Sequence, residues 1–471
     1  MKLPISFIES THALMGDEEY QELSVALEQE PPASVRLNSK FPGLAACSSI
    51  SGRIPWAAEG YYLSQRLTFT FDPLFHAGCY YVQEASSMFV EQVLRRYVTT
   101  PVKMLDLCAA PGGKSTHARS VLPEGSLLVA NEVIRNRSQI LAENLTKWGY
   151  ADVVVTNNDP SDFSRIGSFF DVILTDVPCS GEGMFRKDPG AIEEWSPENV
   201  EICWQRQRRI ITDIWPCLKP GGILIYSTCT YNTREDEENI AWIRQEFGAE
   251  PLPLAVPAEW NITGSLLAGA DAPVYRFLPH KTQGEGFFLA ALRKPEEDGE
   301  ADTVFSPKKK KSKGDTAASP VSKENLAIAK SWLASSDEYN LLVNGTAITA
   351  FPVYYQNDLA LLRQSLRIVQ AGTEVAEVKG KDLIPAHGLA MSRLLKTSVF
   401  PTEALTYEQA IAYLRKEAIV LPPSVPRGYV LVTYKEIPLG FVKNIGNRAN
   451  NLYPQEWRIR SGYLPDDIRT L

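Results

Sequence analysis

The sequence predicts an α/β protein: a doubly wound, mostly parallel sheet with a small N-terminal α+β unit before it and a C-terminal α+β region after it. Three observations carry this. Between residues 101 and 293, short runs rich in Val, Ile and Leu alternate with longer amphipathic stretches, the pattern of strands buried on both faces and joined by crossover helices. The first run ends in a tight loop with two adjacent glycines, "LDLCAAPGGKS" at 105–115, as a strand-to-helix turn at a ligand site does. A polar stretch at 294–325, rich in Pro, Gly, Ser and charge, separates this block from the C-terminal region and reads as a flexible linker.

Residues 1–100 read as a mixed unit. It closes with "HAGCYYVQEASSMFVEQVLRRYV" (76–98), whose second half is expected to be a helix leading into the sheet. The strands expected next are "VKMLDL" (102–107), "SLLVANE" (126–132), "DVVVTNND" (152–159), "FDVILTDV" (170–177) and "GILIYSTC" (222–229), each bounded by turn residues. Between them, residues 135–150 place Ile140, Leu141, Leu145 and Trp148 at helical spacing, and residues 196–218 open with Ser196 and Pro197, a cap followed by a first-turn proline. Beyond the linker, residues 326–471 form a further α+β region ending in the turn-rich "PLGFVKNIGNRANNLYPQEWRIR" (438–460).

The 471 residues are 44% hydrophobic and 22% charged, a globular composition of about three units. No apolar run is long enough to span a membrane, and the start lacks the charge and apolar pattern of a secretory signal, so a cytoplasmic location is expected. Seven cysteines form no CxxC pair and five histidines are scattered, so no metal site is expected and the thiols are expected to be free. A net charge of −8 excludes a uniformly basic surface but not a local basic groove.

The glycine loop is not a phosphate-binding P-loop, because Cys108 stands where the first glycine must be, and the dinucleotide pattern GxGxxG is absent. Acids lie at the ends of the other strands: Glu132, Asp159 and Asp176. A bed of carboxylates repels a pyrophosphate and suits a cation with ribose hydroxyls. S-adenosyl-L-methionine, with its sulfonium and ammonium groups, is the cofactor this chemistry favours.

Cys179 in "DVPCSGEG" and Cys229 in "YSTCTYN" both follow strand ends. A thiolate there is a strong nucleophile, although free cysteine is also a common buried apolar residue. Asn232 and Glu235 resemble a capping box, and Glu235 to Glu238 read as acids that favour a helix start.

"DLCAAPGGKS", "NE", "NND", "TDVPCSGEG" and "YSTCTYN", in this order and preceded by "VQEASS" (82–87), resemble the motifs of the Nop/Sun family of RNA cytosine-5 methyltransferases. The tail "GFVKNIGNRANNLYPQEWRI" resembles the RNA-binding end of that family's bacterial branch. The resemblance implies a Rossmann-like methyltransferase sheet at 101–293, an RNA-contacting unit at 1–100 and a PUA-like RNA-binding region within 326–471. It implies that Cys229 attacks carbon 6 of a cytosine, that Cys179 assists breakdown of the covalent adduct, and that Asp176 contacts the base's pairing edge or the cofactor. Cys108, Ala109, Ala110, Pro111, Gly112, Gly113 and Lys114, with Glu132 and Asp159, would cradle the methionine, ribose and adenine parts; Lys114 would instead orient loop or base groups in a second reading.

A target base must be unstacked for attack at its face. Arg186 and Lys187 are expected to face the target strand, and Arg206, Arg208 and Arg209 either extend that surface or form a solvated helix face. Lys443, Arg448, Tyr453, Trp457 and Arg458 mix charge with stacking surface in the tail. Lys308 to Lys311 and Lys313 would hold RNA phosphates or simply solvate a tether. The expected substrate is small-subunit ribosomal RNA, with transfer RNA and a non-catalytic RNA-binding assembly role as alternatives. A DNA methyltransferase needs only the proline-cysteine motif, and an amino methyltransferase calls for an aromatic at position 179. A monomer is expected, without membrane or metal partners.

Overall fold

The computed structural model describes residues 2–296 and 321–471; the lysines at 308–313 lie outside them. At the centre is a sheet built from β1 (Lys103–Asp106), β2 (Leu127–Asn131), β3 (Val153–Thr156), β4 (Phe170–Asp176), β5 (Leu218–Thr228), β6 (Phe287–Arg293) and β7 (Ile368–Ala371). Its order is β6-β5-β4-β1-β2-β3-β7, with Glu250–Pro251 and Tyr275–Phe277 each paired to β6. The five central strands run parallel, while β6 and β7 flank them antiparallel on the two sides. Strand order reverses between β1 and β4, so the crevice at their carboxyl ends is the ligand site this topology provides.

The unbroken apolar runs follow from burial on both faces. Met104, Leu128, Val155, Leu174 and Ile225 point into one core with α1 (Gly113–Val121) and α2 (Arg135–Trp148). Leu105, Val129, Val154, Ile173 and Leu224 point into the other, under α3 (Pro197–Ile214) and α4 (Glu237–Phe247). Ser196 caps α3 by accepting the Asn199 N–H, with Pro197 in the first turn. One expected core residue is misplaced: Ile140 is 48% exposed, and α2 buries Ser138, Leu141, Ala142, Leu145 and Trp148 instead.

The flanking regions are fastened to the sheet. Two N-terminal helices, Ile5–Met15 and Asp17–Leu27, bury Phe7, Leu23 and Leu27 against Phe185, Trp195 and Tyr231. The N-terminal four-stranded sheet shares a core with the C-terminal strands, where Val35, Leu37 and Tyr80 meet Tyr413, Val430 and Leu439. The stretch expected as linker is ordered at both ends. Lys294 is buried, with its ammonium donating to the carbonyls of Trp215 and Leu218, and Ser322 caps a helix at Lys323–Ser331. The C-terminal region also lends β7 to the catalytic sheet, so its boundary in sequence is not a boundary in space. Among the described residues no helix is long and apolar enough to cross a membrane.

Candidate active site

The loop between β1 and α1 is pinned from three sides. Arg137 donates to the Ala110 carbonyl and Asn144 to the Pro111 carbonyl, both at 2.8 Å, and the Ala109 N–H donates to the Asn131 carbonyl at 2.9 Å. Gly112 has φ +114°, a left-handed conformation that disfavours any side chain, and caps α1. Arg36, fully buried beneath the loop, donates to Gln83, Thr116 and the Gly113 carbonyl, and stacks 4.3 Å from the Trp148 ring. No motif marked Arg36, since its partners lie far along the chain.

Carboxylates crowd the strand ends. Asp106 accepts a hydrogen bond from Ser115 at 2.6 Å, while its other oxygen is buried without a partner. Burial first, with Asp176 and Glu132 adding to it, pushes the Asp106 carboxyl up to about 7. Buried Glu132 accepts the Ile134 N–H at 2.8 Å and lies 3.5 Å from Arg137. Burial and the neighbouring acids Asp106, Asp176 and Glu132 push the Cys108 thiol up, so it stays protonated. Asp159 stands farther out: it accepts the Ser161 N–H and hydroxyl and lies 3.6 Å from Arg209. An under-neutralised carboxylate cluster beside a glycine turn fits the cationic cofactor S-adenosylmethionine, and would not fit a nucleotide polyphosphate.

Asp176 ends β4, where one oxygen accepts the Ser227 hydroxyl and the other the Lys114 ammonium, both at 2.8 Å. Burial works to lower the Lys114 pKa, but Asp176 overcomes it and holds the ammonium above its ordinary value. Cys179 and Cys229 follow the adjacent strands β4 and β5. Their Sγ atoms are 3.0 Å apart, and the Cys229 N–H donates to the Cys179 sulfur at 3.3 Å. A disulfide is about 2.05 Å long, so these are two free thiols in contact. The hydrogen bond with Cys229, then burial, pushes the Cys179 thiol well up, so it is protonated at neutral pH.

Other expectations need correction. Glu235 does not complete a capping box: the Glu235 N–H donates to Asn232, but α4 begins at Glu237 and the Glu235 carboxylate accepts the Ser180 N–H of the other cysteine loop. Arg186 does not face a target strand, being bound to Glu285 and to the Gly284 and Ala26 carbonyls in the interior. Arg208 stacks on Trp204 and Trp242 rather than standing free. Tyr453 is fully buried, whereas Arg448 is exposed and Trp457 partly so. Arg206 is exposed, and Lys443 pairs with Asp382 at 2.6 Å.

Three family models match the chain: the N-terminal domain of 16S rRNA methyltransferase RsmF at residues 3–85, 16S rRNA methyltransferase RsmB/F at 99–293, and the methyltransferase RsmF PUA domain at 400–459. Ribosomal RNA small subunit methyltransferase F of Shigella boydii serotype 4 is 30% identical over 433 residues, covering 87% of this chain and 85% of that one. Its counterpart in Enterobacter sp. (strain 638) is 32% identical over 429 residues, with the same coverage. Among solved structures, a methyltransferase homolog protein from Pyrococcus horikoshii is 28% identical with a TM-score of 0.52, covering 62% of this chain and 100% of its own. NSun6 from the same organism, 23% identical with a TM-score of 0.52 over 63% of this chain and 99% of its own, shares the fold. The match extends through the cofactor loop, both cysteine loops and both flanking regions, and the chain belongs to the family of ribosomal RNA small subunit methyltransferase F.

Proposed function

We propose that this protein transfers a methyl group from S-adenosylmethionine to carbon 5 of a cytosine in RNA, with small-subunit ribosomal RNA as the substrate. The observation that carries the reading is the pair of thiols 3.0 Å apart at the carboxyl ends of adjacent strands, beside the cofactor loop. The names of the relatives support the choice of RNA.

S-adenosylmethionine supplies, when bound, an electrophilic methyl on a sulfonium. Residues 108–114 would hold its methionine part, Glu132 would accept from the ribose hydroxyls and Asp159 from the adenine amine. Cys229, once deprotonated, adds its Sγ to carbon 6 of the cytosine and so leaves an electron pair at carbon 5; that pair would take the methyl group as its bond to the sulfonium breaks, with S-adenosylhomocysteine as the leaving group. A base then removes the carbon 5 proton, the carbon 5–carbon 6 double bond re-forms and the sulfur leaves as thiolate. Cys179, protonated and already hydrogen-bonded to Cys229, donates to the departing sulfur and so favours release. Asp176 accepts from the amino edge of the base, with Lys114 fixing its carboxylate. Residues 1–100 and 326–471 supply the RNA-contacting surfaces.

Bisulfite sequencing of ribosomal and transfer RNA from cells with and without the gene tests the substrate. Loss of one methylated cytosine in small-subunit RNA is expected, and an unchanged map would overturn the reading. Cys179→Ala is expected to trap a covalent protein–RNA adduct and Cys229→Ala to form none; the opposite pattern reverses the two roles.

A further inference from the structure

Contact between two thiols on different loops is not a property of either loop. Each loop is an irregular segment after a strand end, and side chains in such segments scatter over several ångströms unless something fixes them. Two buried acids cross between the loops here. Glu182, three residues after Cys179, reaches the segment after Cys229: its carboxylate accepts the Thr230 hydroxyl at 2.5 Å, the Tyr231 N–H at 2.7 Å and the Asn232 N–H at 3.0 Å. Glu235, six residues after Cys229, reaches back and accepts the N–H of Ser180, the residue after Cys179, at 3.0 Å. Asn232 donates to both carboxylates at 2.9 Å, and Gln207 on α3 donates to Glu235 at 2.7 Å and to the Pro178 carbonyl at 3.0 Å.

Glu182 is 2% exposed and Glu235 is not exposed at all. Burial, then the charge of Glu182, pushes the Glu235 carboxyl up to about 7. Placing two carboxylates together in the interior is unfavourable unless geometry requires it. The requirement is visible in the partners, which are all donors: both acids act as acceptors for backbone that no strand or helix satisfies.

We propose that Glu182 and Glu235 are reciprocal positioning residues, each holding the backbone just beyond the other loop's cysteine so that Cys179 and Cys229 stay in contact through adduct formation and release. Glu182 governs the placement of the nucleophile and Glu235 the placement of Cys179. The division predicts opposite kinetic faults from chemically identical substitutions. Glutamine has the shape of glutamate, but its amide N–H₂ is set against donors in both sites.

The kinetic part rests on the proposed cytosine-5 chemistry, and the thiol part does not. The full-length variants Glu182→Gln and Glu235→Gln are mixed with an unmodified RNA transcript containing the target cytosine and radiolabelled S-adenosylmethionine. Single-turnover methylation and the denaturation-resistant protein–RNA adduct are followed together. Glu235→Gln is expected to keep single-turnover methylation within about 3-fold of wild type, while adduct accumulates and multiple turnover falls at least about 10-fold. Glu182→Gln is expected to lower adduct and methylation together by at least about 10-fold. Gln207→Leu, which removes a Glu235 donor from outside either loop, should reproduce the Glu235→Gln fault more weakly.

The second measurement needs no RNA. Wild type and variants are equilibrated with reduced and oxidised glutathione: one thiol takes up glutathione from its disulfide, releasing a reduced glutathione, and the other thiol displaces the second. The effective concentration of one thiol at the other is expected to fall at least about 10-fold in each glutamine variant. Unchanged effective concentrations overturn the proposal whatever the RNA assay gives. Equal loss of methylation in both variants with no adduct in Glu235→Gln overturns the division of roles. If neither Cys179→Ala nor Cys229→Ala traps an adduct while the glutathione equilibria shift as expected, the cytosine-5 reading fails and the brace stands.

Discussion

Arg276→Met is the substitution whose effect the structure sets most tightly. The guanidinium is 1% exposed and lies 3.1 Å from Asp236, which is fully buried, and against Glu237, which is 2% exposed. It also donates to the Tyr231 carbonyl at 2.9 Å, two residues beyond Cys229. Solvent screening is absent at such burial, so the discount that applies to surface pairs does not apply. Removing the cation leaves two interior carboxylates, and breaking such a pair costs about 3–5 kcal/mol. Burial already pushes the Asp236 carboxyl up, and Arg276 works against that push.

The variant therefore relieves itself by binding a proton that the unfolded chain does not bind at neutral pH. The folded variant then holds more protons than the unfolded one, so its stability falls as pH rises. For one proton beyond those the folded wild type holds, the gap to wild type widens by about 1.4 kcal/mol per pH unit, or about 3 kcal/mol between pH 5 and pH 7. Urea unfolding at both pH values, followed by far-ultraviolet circular dichroism, measures the gap. The triple variant Arg276→Met, Asp236→Asn, Glu237→Gln removes the whole charged group and should return to within about 2 kcal/mol of wild type. A single variant that loses less than about 1 kcal/mol at pH 7, or a triple variant no more stable than the single, refutes the argument.

Glu132→Ala removes the buried acceptor at the end of β2 and should weaken S-adenosylmethionine binding by about 10- to 100-fold, read by titration calorimetry. Gly372→Ala sets a Cβ 2.1 Å from the Ala350 carbonyl oxygen at φ +76°, so the turn after β7 must shift; faster limited proteolysis near residue 372 and a stability loss of about 1–3 kcal/mol are expected. Burial pushes His76, His117 and His387 down to about 3, 4 and 3 from 6.5. The unfolded chain binds these protons first, so stability present above pH 6.5 is lost as pH falls. His117→Gln keeps a hydrogen bond toward Glu91 and should spare about 3 kcal/mol of the loss between pH 6.5 and 4, seen as a flatter acid limb of melting temperature against pH.

The features legible in the sequence are local ones. The five parallel strands are visible as apolar runs because burial on both faces leaves no polar position, and Ser196 with Pro197 marks a helix start through contacts within three residues. The cysteine and glycine loops stand out because they break those runs. The features that escaped it depend on partners distant in the chain. Arg36 meets Thr116 across 80 residues, and Glu235 meets Ser180 across 55. Arg186 and Tyr453 have the chemistry of RNA contacts, yet each is interior, because Glu285 and the shared N- and C-terminal core lie where no local pattern shows them. Ile140 illustrates the reverse error: helical spacing identified a face, but the buried stripe runs one residue to its side.

The same long-range contacts bear on how a modifying enzyme chooses one base. In the proposed reaction the target in RNA is presented to Cys229 with its pairing edge at Asp176, and the surfaces that grip the RNA must hold a fixed relation to that point. The C-terminal region pairs β7 with β3. The last residue donates its N–H to Asp72, and the Thr68 N–H donates to the Arg469 carbonyl. Through these contacts the N-terminal sheet, the PUA-like strands and the catalytic sheet share cores rather than hanging on tethers. A rigid frame reads RNA shape at a distance from the reacting base. On the proposed cytosine-5 reading, specificity for one base then resides in the distance and angle between the flanking surfaces and the thiol pair, more than in any residue that touches the base.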